Sequence, residues 1–435
     1  MNNTPIKYLL SAGNIIVFLL IFSSSSWGQS GDYYLGPMRY SVIKYDADII
    51  QFPGSDSTFT KLYKQINKTI LNGTDKIQIV HLGGSHIQAD IYTKVIRERL
   101  QELSPDMNGG RGLIFPFRMA KTNNPSNYRV QYSGSWEYCK STQKDKSCEL
   151  GLTGIAVTTS DSVAEIFIDP NQGTGVYYDF SYVKIFHLPT RYQVSVIMHD
   201  TLYFGKYHHE GGYTGIKLPR NIDQLQLKIV KDTLEDSFTL LGISLENDRP
   251  GIVYNAIGVN GSKLGSYLGC KLYPKHLAEI DPQLVIFSIG TNDAYTTRFD
   301  VQKYRQEYRQ LLDTTLKAVP SAAILLTVPN DSYLYRRYVN RNTEKMREVI
   351  FELAREYNCG VWDFYTIMGG LNSSQAWYAL NLMNYDRVHF NRKGYELKGE
   401  LLFSAFLKEW EKQLPAPEPW LRNETDDQNT YAETY

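Results

Sequence analysis

Lys76-Ile77-Gln78-Ile79-Val80-His81-Leu82 runs directly into Gly83-Gly84-Ser85-His86. The first seven residues read as a buried strand, and the glycines end it in a tight turn. Ile91, Val95, Ile96 and Leu100 then recur on one face of a helix over 91–103. Strand, turn and helix in that order open an α/β fold. Upstream, Phe59, Leu62, Tyr63, Ile66 and Ile70 keep helical spacing between Ser57 and Gly73.

Past the glycine-rich turn Asn108–Gly112 the helical period stops until about Glu246. Short alternating runs replace it at 164–168, 192–197, 224–230 and 238–243, separated by turn signals such as Asp169-Pro170-Asn171 and Glu210-Gly211-Gly212. Short strands divided by turns predict an antiparallel sandwich. The α/β rhythm then resumes. Strands are expected at 251–255, 284–289, 323–328 and 361–364, with helices over 301–319, 344–357 and 395–414. Nearly continuous apolar strands between helices predict a parallel sheet covered on both faces. The expected organisation is a three-layer α/β/α domain from residues 29–112 and 246–414, interrupted by a β-sandwich over 113–245. A patternless tail over 415–435 is expected to be disordered.

Lys7, the apolar run Tyr8–Phe22 and the small residues before Gly28 have the parts of a secretory signal peptide over 1–28. The run is short for a membrane span, which needs about 20 apolar residues, although an uncleaved anchor is the alternative. The protein is therefore expected to be exported, to the periplasm, the cell surface or the medium, with no stable membrane insertion after cleavage. Export permits disulfides. Cys139 and Cys148 sit close together in a polar stretch where a bridge is as expected as not, whereas Cys270 and Cys359 read as buried free thiols.

Lys plus Arg and Asp plus Glu each number 46, so the formal charge is zero and the basic footprint of a nucleic-acid partner is missing. The 33 tyrosines suit either carbohydrate surfaces or β-rich cores. No spacing marks a zinc site, and Asn108–Gly112 lacks the Lys-Ser/Thr of a phosphate loop, so neither metal nor organic cofactor is expected. The oligomeric state is not legible.

In a parallel sheet, ligands bind beyond the carboxyl ends of the strands. Four polar blocks fall there or beside the last helix: Gly83–His86, Asn255–Gly261, Gly290-Thr291-Asn292-Asp293 and Asp386-Arg387-Val388-His389. Ser85 is the candidate nucleophile, since a hydroxyl needs only a base to activate it. His389 is the candidate base, and Asp386, three residues earlier, can hold its tautomer. The Ser85 and Gly261 amides and the Asn292 side chain are the candidate oxyanion donors. Alone, each block has a plainer reading as a turn or a cap. Together and in order they form a complete acyl-transfer site.

These ordered blocks resemble those of the SGNH hydrolase superfamily. The resemblance covers roughly 76–112 and 246–412 and implies a flavodoxin-like fold and a serine esterase. It places the nucleophile at Ser85, the oxyanion glycine at Gly261, its asparagine at Asn292, and the acid and base at Asp386 and His389. The family's first block usually reads Gly-Asp-Ser; Gly84 stands at the Asp here, which puts the rigidity of that loop in question. His86 could be mistaken for the base, but a residue adjacent to the nucleophile usually points the wrong way.

A sandwich between the first and second blocks is similar to the layout of peptidoglycan O-acetylesterases, whose extra domain resembles a carbohydrate-binding module. Trp136, Tyr177, Tyr178, Tyr203, Tyr207 and Tyr213 are then candidate sugar-stacking faces, or ordinary sheet packing. His208-His209 reads as a solvated loop. The expected activity is removal of O-acetyl groups from a polysaccharide, with peptidoglycan among the candidates. The alternatives are acetyl transfer to a glycan, or glycan binding by a decayed esterase.

Overall fold

Alternate residues of each central strand face opposite ways, and both ways are apolar. Ile77 and Ile79 of strand Lys76–Gly83 join Leu284 and Ile286 in one buried cluster, whereas Val80 and Leu82 join Val285 and Phe287 in another. That two-sided burial is what a covered parallel sheet requires. The computed structural model describes residues 39–232 and 237–414. The expected signal peptide and C-terminal tail lie outside the described residues.

The sheet runs in the order Ile50–Gln51, Gly360–Trp362, Ala323–Thr327, Leu284–Ser288, Lys76–Gly83, Gly251–Gly258. The last five strands are mutually parallel. The first is an antiparallel edge, pairing Ile50 with Trp362, so the sheet is mixed rather than purely parallel. Helices Ser57–Asn72, Tyr92–Gln101 and Arg392–Glu411 cover one face; Tyr273–Ile280, Val301–Ala318 and Asn342–Tyr357 cover the other. No described helix is long and apolar enough to cross a membrane.

Between the two α/β segments stand a five-stranded and a seven-stranded antiparallel sheet, packed around a third cluster that includes Val130, Ile166, Val183, Leu227 and Ile243. This is the expected sandwich. One reading is corrected: Gly110–Gly112, taken as the end of the glycine-rich turn Asn108–Gly112, opens the strand Gly110–Ile114 that pairs with Phe238–Glu246. Its glycines hide the apolar alternation that marks the other strands.

Buried polar contacts fasten the sandwich to the α/β domain. Asp90 binds Arg97 at 3.1 Å through both guanidinium nitrogens, Arg111 at 2.8 Å and the Asn127 amide at 2.8 Å. Burial alone would raise the Asp90 carboxyl, but the two guanidinium groups outweigh it and hold it at about 2. The junction is thus a charged knot placed a few residues after the Ser85 turn.

Candidate active site

Ser85 opens the short helix Ser85–Gln88 immediately past strand Lys76–Gly83. The Gly84 carbonyl accepts from the Ile87 and Gln88 amides, and the Gly83 carbonyl accepts from Ser262 Oγ at 3.1 Å and the Tyr267 hydroxyl at 2.7 Å. These bonds fix the turn that Gly84 leaves without the family's aspartate. A Cβ on Gly84 would stand 3.2 Å from Asn292 Nδ2, tighter than most real contacts.

Asp386 and His389 come from the loop before helix Arg392–Glu411. His389 Nε2 is 2.9 Å from Ser85 Oγ, and His389 Nδ1 is 2.8 Å from Asp386 Oδ2. The other Asp386 oxygen accepts the backbone amides of Val388 at 2.9 Å and His389 at 3.0 Å. Partial burial raises the Asp386 carboxyl, but the bonds from the His389 ring and the two amides prevail and hold it at about 2. It stays an anion, so Nδ1 is the protonated nitrogen and Nε2 is left to accept from the serine. The chain Ser85–His389–Asp386 is continuous and partly open to solvent.

Two further blocks converge on the same turn. Asn292, in the short helix Thr291–Ala294, donates from Nδ2 to the Ser262 carbonyl at 3.0 Å, which brings its amide beside Gly84. Gly261 has φ of +81°, a left-handed conformation that glycine adopts without strain. Neither the Ser85 nor the Gly261 amide has an acceptor among the described residues, and both remain available as donors. Asp293 links these blocks by accepting from the Leu264 amide at 3.3 Å; its burial raises its carboxyl to about 7.

All the sequence-predicted site residues therefore lie around one turn. His86 does not compete with His389. Its Nδ1 pairs with the Tyr395 hydroxyl at 3.0 Å, and burial drives its pKa well below the ordinary imidazole value. Sequence reading missed Ser262 and Tyr267, although both follow Gly261 closely on the same segment. It also missed Lys398, buried over the rings of Phe364 and Tyr92 at 4.5 and 4.8 Å.

Two candidate sugar-stacking faces are corrected. Tyr178 and Tyr213 are buried, and Tyr178 packs its hydroxyl against Arg97 and Gln101. Tyr177 is exposed, while Trp136, Tyr203 and Tyr207 are half-buried. The solvated-loop reading is corrected for His208, which is exposed but ends the strand Lys206–His208, where it pairs with and stacks on Tyr213; His209 is exposed in the turn that follows. Cys139 and Cys148 form a disulfide, and Cys270 and Cys359 are buried free thiols.

Residues 236–397 match the GDSL-like Lipase/Acylhydrolase family. Among solved structures, a peptidoglycan O-acetylesterase aligns with 83% of this chain and 99% of its own at 21% identity and a TM-score of 0.69. A catalytic mutant of an acetylxylan esterase from Geobacillus stearothermophilus aligns at 20% identity over 38% of this chain and 76% of its own, with a TM-score of 0.31. A family two carbohydrate esterase from Cellvibrio japonicus aligns at 11% identity over 66% and 100%, with a TM-score of 0.27. Only the first of these three superimposes well enough to bear on the fold. No curated protein matches the sequence. The second α/β segment thus matches the GDSL-like Lipase/Acylhydrolase family, and the chain over most of its length has a fold similar to that of a peptidoglycan O-acetylesterase.

Proposed function

We propose that the protein is an exported serine esterase that removes O-acetyl groups from a polysaccharide, with bacterial peptidoglycan the first substrate to test. The observation that carries this reading is the hydrogen-bonded chain from Ser85 Oγ through His389 to Asp386. The likeness in fold to a peptidoglycan O-acetylesterase supports the choice of substrate.

In the first half-reaction, Ser85 Oγ attacks the acetyl carbonyl carbon while His389 Nε2 takes the hydroxyl proton. The carbonyl electron pair moves onto oxygen, where the Ser85 and Gly261 amides and Asn292 Nδ2 would meet it. Asp386 stabilises the imidazolium and keeps the ring in register. Collapse expels the sugar oxygen, which takes the proton from His389 and leaves acetyl-Ser85. In the second half-reaction, water gives a proton to His389 and attacks the acyl carbon. Acetate departs and the serine recovers its proton. A glycan binder with a decayed site would not need this relay intact.

Export is supported by the Cys139–Cys148 disulfide, a bond that persists in oxidising compartments. The test is acetate release from O-acetylated peptidoglycan, acetylated xylan and a small aryl acetate. Release from a glycan supports the reading. Cleavage of long-chain lipid esters with both glycans untouched overturns it, and acetate recovered on a sugar acceptor makes the protein a transferase.

A further inference from the structure

An open cleft of about 720 Å³ lies on the sandwich, lined by Arg118, Lys121, Thr122, Asn123, Gln131 and Tyr132 among others. Its floor is tied to the catalytic turn. Gln88, three residues after Ser85, donates from Nε2 to Thr122 Oγ1 at 3.1 Å and to the Asn123 carbonyl at 2.9 Å. Asn260, which precedes Gly261, donates to Asn123 Oδ1 at 2.5 Å and to Thr122 Oγ1 at 3.2 Å. The same two residues thus line the cleft and brace the oxyanion side of the site.

The cleft carries charge of one sign. Arg118 and Lys121 are exposed and have no carboxylate partner among the described residues, in a protein whose net charge is zero. One short turn presents both, because Lys121 is its left-handed C-cap, at φ +50°, and its amide bonds the Arg118 carbonyl at 3.1 Å. Tyr132, 45% exposed, offers a flat face of the kind that stacks on sugar rings, and Asn123 and Gln131 offer amides for hydroxyl groups.

We propose that this cleft is the polymer subsite of the esterase and that it takes an acetylated glycan bearing carboxylates. The proposal rests on the glycan esterase reading above. The chain would lie along the cleft with its carboxylates at Arg118 and Lys121 and an acetylated residue reaching Ser85 past Asn260. Two exposed cations in a groove raise the local concentration of an anionic polymer, an effect that salt screens.

The test compares one O-acetylated peptidoglycan before and after amidation of its carboxylates, in wild type and in the Arg118→Ala/Lys121→Ala variant. The readout is the ratio of kcat/KM for the carboxylated and amidated forms, which cancels any change common to both polymers. In wild type at low salt the carboxylated form is expected to be favoured about tenfold. In the variant the ratio is expected to fall to about one, and 0.5 M salt (about that figure, enough to shorten the screening length to a few ångströms) should do the same to wild type. A ratio unchanged by the double substitution, or near one in wild type, overturns the subsite. A wild type that cleaves a small aryl acetate but neither polymer overturns the glycan reading itself.

Discussion

The ring of His86 lies stacked on the ring of His389, with centroids 5.2 Å apart and 26° between planes. The residue next to the nucleophile thus backs the base. Burial keeps His86 neutral, its Nδ1 holds the Tyr395 hydroxyl, and its edge meets Phe390 and Tyr395. His86 is a positioning residue in this arrangement. His86→Ala is expected to lower kcat about tenfold, equivalent to about 1.4 kcal/mol of barrier, with little change in KM. His86→Phe, which keeps a flat ring, should recover most of that loss. Steady-state kinetics on a small acetyl ester decide it, and a Phe variant no better than Ala would refute the stacking role.

Asn292 is expected to act on the transition state alone. Its amide nitrogen lies beside Gly84 and is held there by its bond to the Ser262 carbonyl. Asn292→Ala should therefore cost about 2.7–4 kcal/mol of barrier, a drop of about 10²–10³ in kcat. An unchanged kcat in a folded Asn292→Ala protein would remove it from the oxyanion site.

Asp90 holds two buried arginines, so Asp90→Asn leaves uncompensated charge at the junction of sandwich and α/β domain. Breaking a buried ion pair from one side costs about 3–5 kcal/mol. The carboxyl falls from its ordinary 3.8 to about 2 on folding, so its contribution is complete above the higher value. It is lost as pH falls through the lower one. Urea unfolding of wild type and variant at pH near 7 and near 2.5 reads both effects: the difference should be large at the first and reduced at the second.

Lys398 shows the opposite sign. Burial drives its amine from the ordinary 10.5 to about 7, although the faces of Tyr92, Phe364 and Phe390 favour the cation. Among the described residues it has no hydrogen-bond or ion-pair partner, and the two imidazoles that feel its charge, His81 and His86, are themselves held neutral by burial. A base whose pKa drops on folding penalises the fold fully below the folded value, and the penalty fades as pH rises toward the unfolded one. Lys398→Met should therefore stabilise the protein at about pH 6, on the order of a few kcal/mol, and much less at about pH 10. Equal effects at both pH values would show that the amine titrates normally.

The site was legible because its residues stand where local rules are strong. Glycines follow the predicted strands at Gly83 and Gly290, and the short apolar runs before them locate those strands without any tertiary knowledge. The knot of Asp90, Arg97, Arg111 and Asn127 was not legible, because its members come from separate elements and no local period links them. Gly110–Gly112 read as turn because glycine favours turns, and only the partner strand Phe238–Glu246 shows that they open the strand Gly110–Ile114. The edge pair Ile50–Gln51 is too short to show a period. Tyr178 and Tyr213 share a residue type with exposed tyrosines, and nothing but packing separates them.

The most direct measurement is acetate release from O-acetylated peptidoglycan by wild type and by Ser85→Ala. With Ser85 as nucleophile, wild type releases acetate and the variant, folded as judged by its unfolding transition, loses at least about 10³-fold in rate. Release by Ser85→Ala at a rate near that of wild type would contradict the acyl-serine mechanism.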